Sequence, residues 1–337
     1  MSDLSFRRSL ASLVGASALI VAAPAAHAST FMDTLANVSS TYNAYTSGSF
    51  TSSNSDTEGK IAAGGSVSLS SYAVGQNNPG GNALVAGGGV SFNNGTIYGN
   101  AVSGGAATYS GANVTGNVSA GGAIGGSQAP YLNKVAYTGV PVTFGQISAD
   151  LASASAYLNS AAAQSQGVLG STALQYGTLN FTSNATSGLV FFDVTAAQLA
   201  NVNLAFNVNS AATVIVNVTG LLGSGTIGAG GFSGVNADNT LFNFVDATNL
   251  NLASFNGSIL ATNAAVTAQN GRIDGTLMAN SYNGTSQLNA FSFTGHLPTM
   301  SAAVPEPSSW AMMILGVGAI GAVLRRRRRN ADAPTLA

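Results

Sequence analysis

Gly99-Asn100-Ala101-Val102-Ser103-Gly104-Gly105 is answered 17 residues later by Gly116-Asn117-Val118-Ser119-Ala120-Gly121-Gly122. The same punctuation appears upstream in Ala86-Gly87-Gly88 and in Ala63-Gly64-Gly65-Ser66-Val67. Short β-forming runs lie between these glycines: Ala83-Leu84-Val85, Thr96-Ile97-Tyr98 and Asn113-Val114-Thr115. Glycine suits a sharp corner because it reaches positive φ without a steric penalty, so the pattern reads as strand, corner, strand. A fixed period of this length predicts coils of a β-solenoid, in which each rung leaves its apolar face open until the next one covers it. Periodic Val, Ile and Ala then form a continuous core, and Asn forms hydrogen-bonded ladders at the turns. A β-sandwich with glycine-rich turns is the competing architecture.

Phe144 to Ala163 breaks the pattern, because Phe144, Ile147, Leu151, Ala154 and Leu158 recur at helical spacing among alanines. One amphipathic helix is expected there, covering an edge or the side of the stack. Beyond it come Leu189-Val190-Phe191-Phe192, Thr213 to Val218, Leu241 to Val245 and Gly257 to Leu260. Such near-continuous apolar strands imply burial on both faces or parallel pairing.

The two ends set the compartment. Arg7 and Arg8 precede the apolar run Leu10 to Ala23, and Ala26-His27-Ala28 supplies the small residues that a signal peptidase needs before Ser29. The arginine pair fits an ordinary n-region or a twin-arginine signal. At the other end Val304-Pro305-Glu306-Pro307 is followed by the apolar stretch Trp310 to Leu324 and by Arg325, Arg326, Arg327, Arg328 and Arg329. The arginines hold that end in the cytoplasm. At about 1.5 Å per residue the apolar stretch reaches only about 22 Å, short of the roughly 30 Å hydrocarbon core, which suits a transient signal better than a permanent anchor. This tripartite tail resembles the PEP-CTERM sorting signal. The resemblance implies an exosortase-type membrane protease as a transient partner and brief residence in the inner membrane. The destination is then the cell surface or extracellular matrix of a Gram-negative bacterium. A plain C-terminal anchor is the alternative.

The domain expectation is therefore a signal peptide at 1–28, a β-helical domain at 29–300, a linker with the Pro-Glu-Pro motif at 301–309, a hydrophobic helix and arginine cluster at 310–329, and a cytoplasmic tail at 330–337. The fold class expected is mainly β.

Between Ser29 and Ala303 the basic residues are Lys60, Lys134 and Arg272, against Asp33, Asp56, Glu58, Asp150, Asp193, Asp238, Asp246 and Asp274, so the balance is 3 − 8 = −5. No basic stripe exists to neutralise phosphates, which excludes nucleic acid as an expected partner. The chain has no cysteine, hence neither disulfides nor thiolate metal sites. Stability must come from packing, each buried Val, Ile, Leu or Phe contributing about 1.5 to 3 kcal/mol before entropy is subtracted.

Ser52-Ser53-Asn54-Ser55-Asp56-Thr57-Glu58-Gly59-Lys60-Ile61-Ala62-Ala63-Gly64-Gly65, with Tyr72-Ala73-Val74-Gly75, resembles the opening signature of the choice-of-anchor A domain. Val214 to Gly220, Asn243 to Ala247 and Gly257 to Ala261 resemble its later strands, so the likeness spans roughly Phe31 to Gly295. That resemblance implies an adhesive β-helical domain joined to a surface-attachment signal. Where the family carries a Gly-Glu-Ile-His-like segment, this chain has Ser286 to Gly295, and any role of that Glu and His is not available here.

Catalytic signals are weak. Gly223-Ser224-Gly225-Thr226-Ile227-Gly228 fits a dinucleotide-binding pattern, but no helix-forming sequence follows, so it reads as a glycine-rich turn. His296 stands alone near the tail with no nucleophile elbow, and is expected to be exposed. Asp56 and Glu58, or Asp193, Asp238 and Asp246, are the carboxylates a glycosidase would need, although Asp56 and Glu58 beside Lys60 read more simply as a solvated turn with a weak ion pair. No acid-dense calcium loop is present, and no cofactor or metal is expected. Tyr72, Tyr98, Tyr109 and Tyr131 are candidates for stacking on sugars, or equally for filling solenoid corners. The sequence thus points to an exported, non-enzymatic adhesin or matrix protein that binds exopolysaccharide or neighbouring cells. A β-helical polysaccharide-degrading enzyme is the alternative. An ice-binding solenoid is a third, opposed by the absence of Thr from any one recurring rung position.

Overall fold

The computed structural model describes residues 31–300 and 307–331. The leader with Ala26, Ala28 and Ser29, the motif residues Val304, Pro305 and Glu306, and residues 332–337 lie outside the described residues.

One coil shows how the sequence makes the fold. Ile61–Ala63 runs along one side, Gly64, Gly65 and Ser66 turn, and Val67–Val74 makes two further sides that meet at Ser71. The corner residue takes φ of 51°, and Asn54, Asn94 and Gly111 repeat it at 52°, 59° and 60° in the neighbouring coils. Asn and Gly tolerate this left-handed conformation, whereas Ser rarely adopts it. Parallel register holds the coils together: Ile61 pairs with Leu84, Leu84 with Ala101 and Ala101 with Val118 on the first side. Val67 pairs with Val90, and Val90 with Ala107, on the second.

The repeated glycine pairs serve a purpose other than the expected one. None of Gly64, Gly65, Gly87, Gly88, Gly104, Gly105, Gly121 and Gly122 has positive φ. Instead the backbone of each coil passes so close to the next that no Cβ fits. A Cβ on Gly87 would lie 2.3 Å from Gly64 O, on Gly104 2.1 Å from Gly87 O, and on Gly121 2.3 Å from Gly104 O. The pairs are required by the stacking contact, not by backbone conformation.

The stack is not built in chain order. From the first coil at Ala44–Thr57 the chain climbs to Asn133-Lys134, which pairs with Asn117-Val118. It then returns and starts again at Val168-Leu169, paired to Gly188–Thr195. From there the sides run through Ala212–Thr219, Thr240–Phe244, Ser258–Ala268 and Leu277–Gly284. Leu277–Gly284 finally pairs with the first coil, Leu277 opposite Ala44 and Tyr282 opposite Phe50. The result is one 21-stranded sheet wound from two blocks, with a separate 4-stranded sheet at the wide end. There Ser171–Gln175, Thr178–Thr182, Asn203–Asn207 and Phe232–Ser233 pair side by side. Expectation and structure agree on a mainly β, β-helix-like fold.

Two cores result. The inner one fills the coils of the first block with Ala, Val, Ile and Leu together with Phe50, Tyr72, Phe92 and Tyr109; at the wide end Phe206 stacks on Phe181, and Phe192 and Phe242 meet them edge-to-face. The outer one lies between the first side and two helices, α1 (Phe31–Thr41) and α2 (Phe144–Leu158). Tyr45, Ala62, Phe191, Ile215, Leu241, Leu260 and Met278 point outward there and are covered by Met32, Leu35 and Val38 of α1 and Leu151, Ala154 and Leu158 of α2. That double burial is why these strands read as unbroken apolar runs. Asn217 and Asn243 interrupt the runs for a reason. Asn243 Nδ2 donates to Ser155 O (2.8 Å) and Asn217 Oδ1 (2.9 Å), and Asn217 Nδ2 donates to Leu158 O (3.0 Å). These amides donate to carbonyls in the last turn of α2: Ser155 O is shared with the N–H of Asn159, and Leu158 O, which no intrahelical N–H reaches, is taken by Asn217. The helix expected to run to Ala163 therefore ends at Leu158, and Ala161–Gln164 is a separate turn whose N–H at Ala163 is capped by Ser160 Oγ.

The tail helix spans Pro307–Ala331, with proline in its first turn, where a missing N–H costs nothing. It exposes Leu315, Val317, Ile320, Val323 and Leu324, and it carries Arg325 to Arg329. Among the described residues no helix is long and apolar enough to cross a membrane.

Gly104→Ala is expected to destabilise the fold by about 1 to 3 kcal/mol or more, because the methyl is forced against a backbone oxygen that cannot move without shifting the rung. Gly125, where a Cβ meets nothing within 4 Å, is the control. Gly125→Ala should stay within about 0.5 kcal/mol of the parent in the same denaturant titration.

Candidate functional site

Residues alternate in and out along the second side of each coil, because successive side chains on a strand point to opposite faces. In Val67-Ser68-Leu69 the outer residues are buried and Ser68 is exposed, and Val90-Ser91-Phe92 and Ala107-Thr108-Tyr109 repeat this. Register aligns the outward positions across both blocks: Asn251, Thr267, Asn283, Thr51, Ser68, Ser91 and Thr108. A second row, Ser53, Ser70, Asn93 and Ser110, runs beside it two residues further along. Adjacent rungs are about 4.8 Å apart. The outcome is a flat face of hydroxyl and amide groups with no charged or aromatic side chain in either row. The sequence does carry its signal, an apolar-polar-apolar triplet two residues after each glycine pair, but the triplets are too short to be singled out unaligned.

The tyrosines expected on the surface divide. Tyr72 and Tyr109 are core residues, 2% and 0% exposed, and cannot stack on a ligand. Burial pushes the pKa of the Tyr72 hydroxyl up to about 12, opposed by its hydrogen bonding with Ser52 and Thr57, the latter at 2.8 Å. Burial likewise raises Tyr109, whose hydroxyl has no partner. Tyr98 is half-buried, and Tyr131 is 82% exposed beside the narrow end. Solenoid-filling is thus the correct reading for two of the four.

The carboxylates do not converge on a cleft. Asp193 accepts from Gln164 Nε2 (2.9 Å) and Asn217 Nδ2 (3.2 Å), Asp246 accepts from Gly220 N (3.0 Å), and Asp238 uses its backbone oxygen to hold Thr294. Asp56 and Glu58 are neighbours, but the expected ion pair with Lys60 is not formed. Glu58 Oε2 accepts from Ala290 N at 2.9 Å, and the one salt bridge among the described residues joins Arg272 to Asp274. Asp56 is half-buried, and its Oδ1 has no hydrogen-bond partner. Desolvation raises its pKa; the Gln287 amide opposes that rise and the charge of Glu58 adds to it. His296 is exposed, and only its backbone N–H is engaged, to Thr213 Oγ1. Gly223 to Gly228 form a turn with no helix after them. Among the described residues no three carboxylate or imidazole groups are placed to hold a metal.

The register thus defines a parallel β-solenoid with an uncharged polar face and two helices sealing another side. The chain belongs to the family described as "Putative Ice-binding-like adhesive domain", whose model matches residues 35–290. Residues 303–329 match the PEP-CTERM protein-sorting motif. The protein is accordingly an exported surface protein of the Gram-negative type, and the motif implies processing by an exosortase-type membrane enzyme. No curated protein matches the chain. Among solved structures, a glycosylated ice-binding protein from an Arctic yeast aligns at 15% identity over 80% of this chain and 96% of its own, with a TM-score of 0.32. An ice-binding protein from the Antarctic ascomycete Antarctomyces psychrotrophicus aligns at 16% identity over 78% and 98%, with a TM-score of 0.25. One from an Antarctic Flavobacteriaceae bacterium aligns at 14% identity over 77% and 78%, with a TM-score of 0.20. The fold description rests on the strand register above.

A raised Asp56 pKa means that the folded chain prefers the protonated carboxyl, so stability is fully present below the ordinary value of 3.8 and is lost as pH rises through the folded value. Asp56→Asn should therefore melt higher than the parent at neutral pH, and the difference should close below pH 3.8. Thermal melts of both proteins across that range measure it.

Proposed function

We propose that this chain is a non-catalytic adhesin of the cell surface or matrix that binds exopolysaccharide through its hydroxyl and amide face. The observation that carries the reading is the row from Asn251 to Thr108, seven successive outward positions occupied only by Asn, Ser and Thr. Neutral glycans present hydroxyls that both donate and accept, and so do Ser, Thr and Asn. Each such contact is weak against water, so a long array is what gives useful affinity. In this reading, sorting relies on Val304, Pro305, Glu306 and Pro307 as the recognition motif, with Arg325 to Arg329 as the cytoplasmic stop. Ala26 and Ala28 direct removal of the leader before Ser29. The domain limits in this reading are 29–300 for the adhesive body and 301–329 for the sorting tail.

Ice is the second reading, supported by the flatness and regularity of the same face. Its methyl-bearing rungs are few: Thr267, Thr51 and Thr108 are separated by Asn283, Ser68 and Ser91. A measurement of thermal hysteresis separates the two ligands. A glycan-cleaving enzyme has less support, since Asp193 lies in the strand Gly188–Thr195, Asp238 in the turn Ala237–Asn239 and Asp246 in the bend after Thr240–Phe244, with Asp193 and Asp246 already hydrogen-bonded elsewhere.

Mixing the protein with exopolysaccharide from the producing organism should give co-sedimentation without newly released chain ends. The double variant Ser68→Tyr/Ser91→Tyr, which breaks the flat row at its centre, should lower the bound fraction by about tenfold with a stability change of about 0.5 kcal/mol or less. Full binding by that variant, or release of chain ends, overturns the reading. In cells, removal of 303–329 should leave the adhesive domain off the surface, as read by fractionation; unchanged surface display would refute the sorting role.

A further inference from the structure

A groove of about 430 Å³ opens at the third side of the wide block, lined by Phe232, Ser254, Asn256, Arg272 and Gln287. It lies on a different side from the Asn, Ser and Thr rows, and its volume is that of a small-ligand site. Its polar members come from successive rungs: Arg272 is opposite Gln287, and Ser254 and Arg272 each precede the paired Phe255 and Ile273.

Arg272 is the only arginine between the two sorting signals, and it is held in place. Its Nε donates to Asp274 Oδ2 at 3.0 Å, and Asn289 Nδ2 donates to the other oxygen of that nearly buried carboxylate. The Nη groups have no partner among the described residues, and the side chain is 60% exposed. Ser254 Oγ and the Asn256 amide are likewise without hydrogen-bond partners among the described residues. Phe232 is fixed by edge-to-face packing on Phe255 (4.9 Å) and Phe242 (6.1 Å), and its ring lines the groove. A guanidinium neutralised by its own carboxylate does not select for charge. The Gln287 amide already faces Asp56. What remains is a fork of N–H donors, a hydroxyl, the Asn256 amide and an apolar ring, the set that suits a ring with hydroxyls around its edge and C–H groups on its face.

We propose that this groove is a discrete saccharide subsite taking a neutral hexose unit, so that the domain grips a glycan at one point in addition to lying along it. The subsite rests on the glycan-binding reading above. Arg272 supplies paired donors to adjacent hydroxyls, Asp274 and Asn289 orient it, and Phe232 supports the sugar's apolar face.

The test titrates the full-length protein with cellohexaose, isomaltohexaose and a galacturonate hexamer, beside the co-sedimentation assay. Binding of at least one neutral hexamer is expected. Arg272→Gln should weaken it by about tenfold, as loss of charge-assisted donors does. Ser254→Tyr, which fills the groove and leaves the ion pair intact, should abolish it with an unchanged melting temperature. Failure of both neutral hexamers to bind while exopolysaccharide still sediments overturns the subsite and leaves the adhesive face standing. Preference for the galacturonate hexamer, or undiminished binding by Ser254→Tyr, also overturns it. Hexamer binding without sedimentation faults the adhesive face and supports the subsite.

Discussion

Every other part of the structure depends on the junction at which the first coil is laid against the last. Ala44 faces Leu277 and Phe50 faces Tyr282, whose rings stack at 4.8 Å. Asn43 ties the seam: its Nδ2 donates to Gly275 O and Asn289 O, and its Oδ1 accepts from Gly59 N. Thr276 Oγ1 reaches across to Ser39 O, the end of α1. Without this seam the two blocks each expose an unpaired parallel edge, and such edges recruit other chains. With it, the longer row of outward side chains runs unbroken across the seam from Asn251 to Thr108.

Much of the architecture was legible because packing writes itself into residue period. The glycine pairs, the helical spacing from Phe144 to Leu158 and the unbroken apolar strands each pointed to the element that forms. What could not be read was the physical reason behind two of them. Glycine signals either unusual φ or close approach, and only the distance from Gly87 O to a hypothetical Cβ on Gly104 distinguishes these. Apolar spacing alone does not mark a stop at Leu158; there Ser160 caps a new turn, and Asn217 and Asn243, distant in sequence and buried beneath the helix, take carbonyls of the last one. The order of the coils was equally hidden, since nothing local in Leu277–Gly284 announces that its neighbour is Ala44–Thr57.

The site was less legible than the fold. Charge and aromaticity drew attention to Asp56, Glu58, Tyr72 and Tyr109, yet two of these are core tyrosines and two are half-buried carboxylates. The outward row consists of the commonest polar residues in the chain, and such residues acquire meaning only when register lines them up. Arg272 was noted for rarity alone. Asp274 sits two residues along the same strand, but Gln287 and Asn289 come from the next rung, which sequence spacings of 15 and 17 residues do not single out.

The wound order of the two blocks also bears on export. Asn43 leaves the ribosome long before Gly275, its hydrogen-bond partner 232 residues later in the chain. At synthesis rates of about 5 to 20 residues per second, that is a wait of roughly 10 to 50 s. A solenoid wound in sequence would grow coil upon coil as it emerged from the membrane. This one keeps the edge of its first coil open until almost the whole chain has crossed. Closing so long a loop is slow, and the edge is prone to mispairing meanwhile.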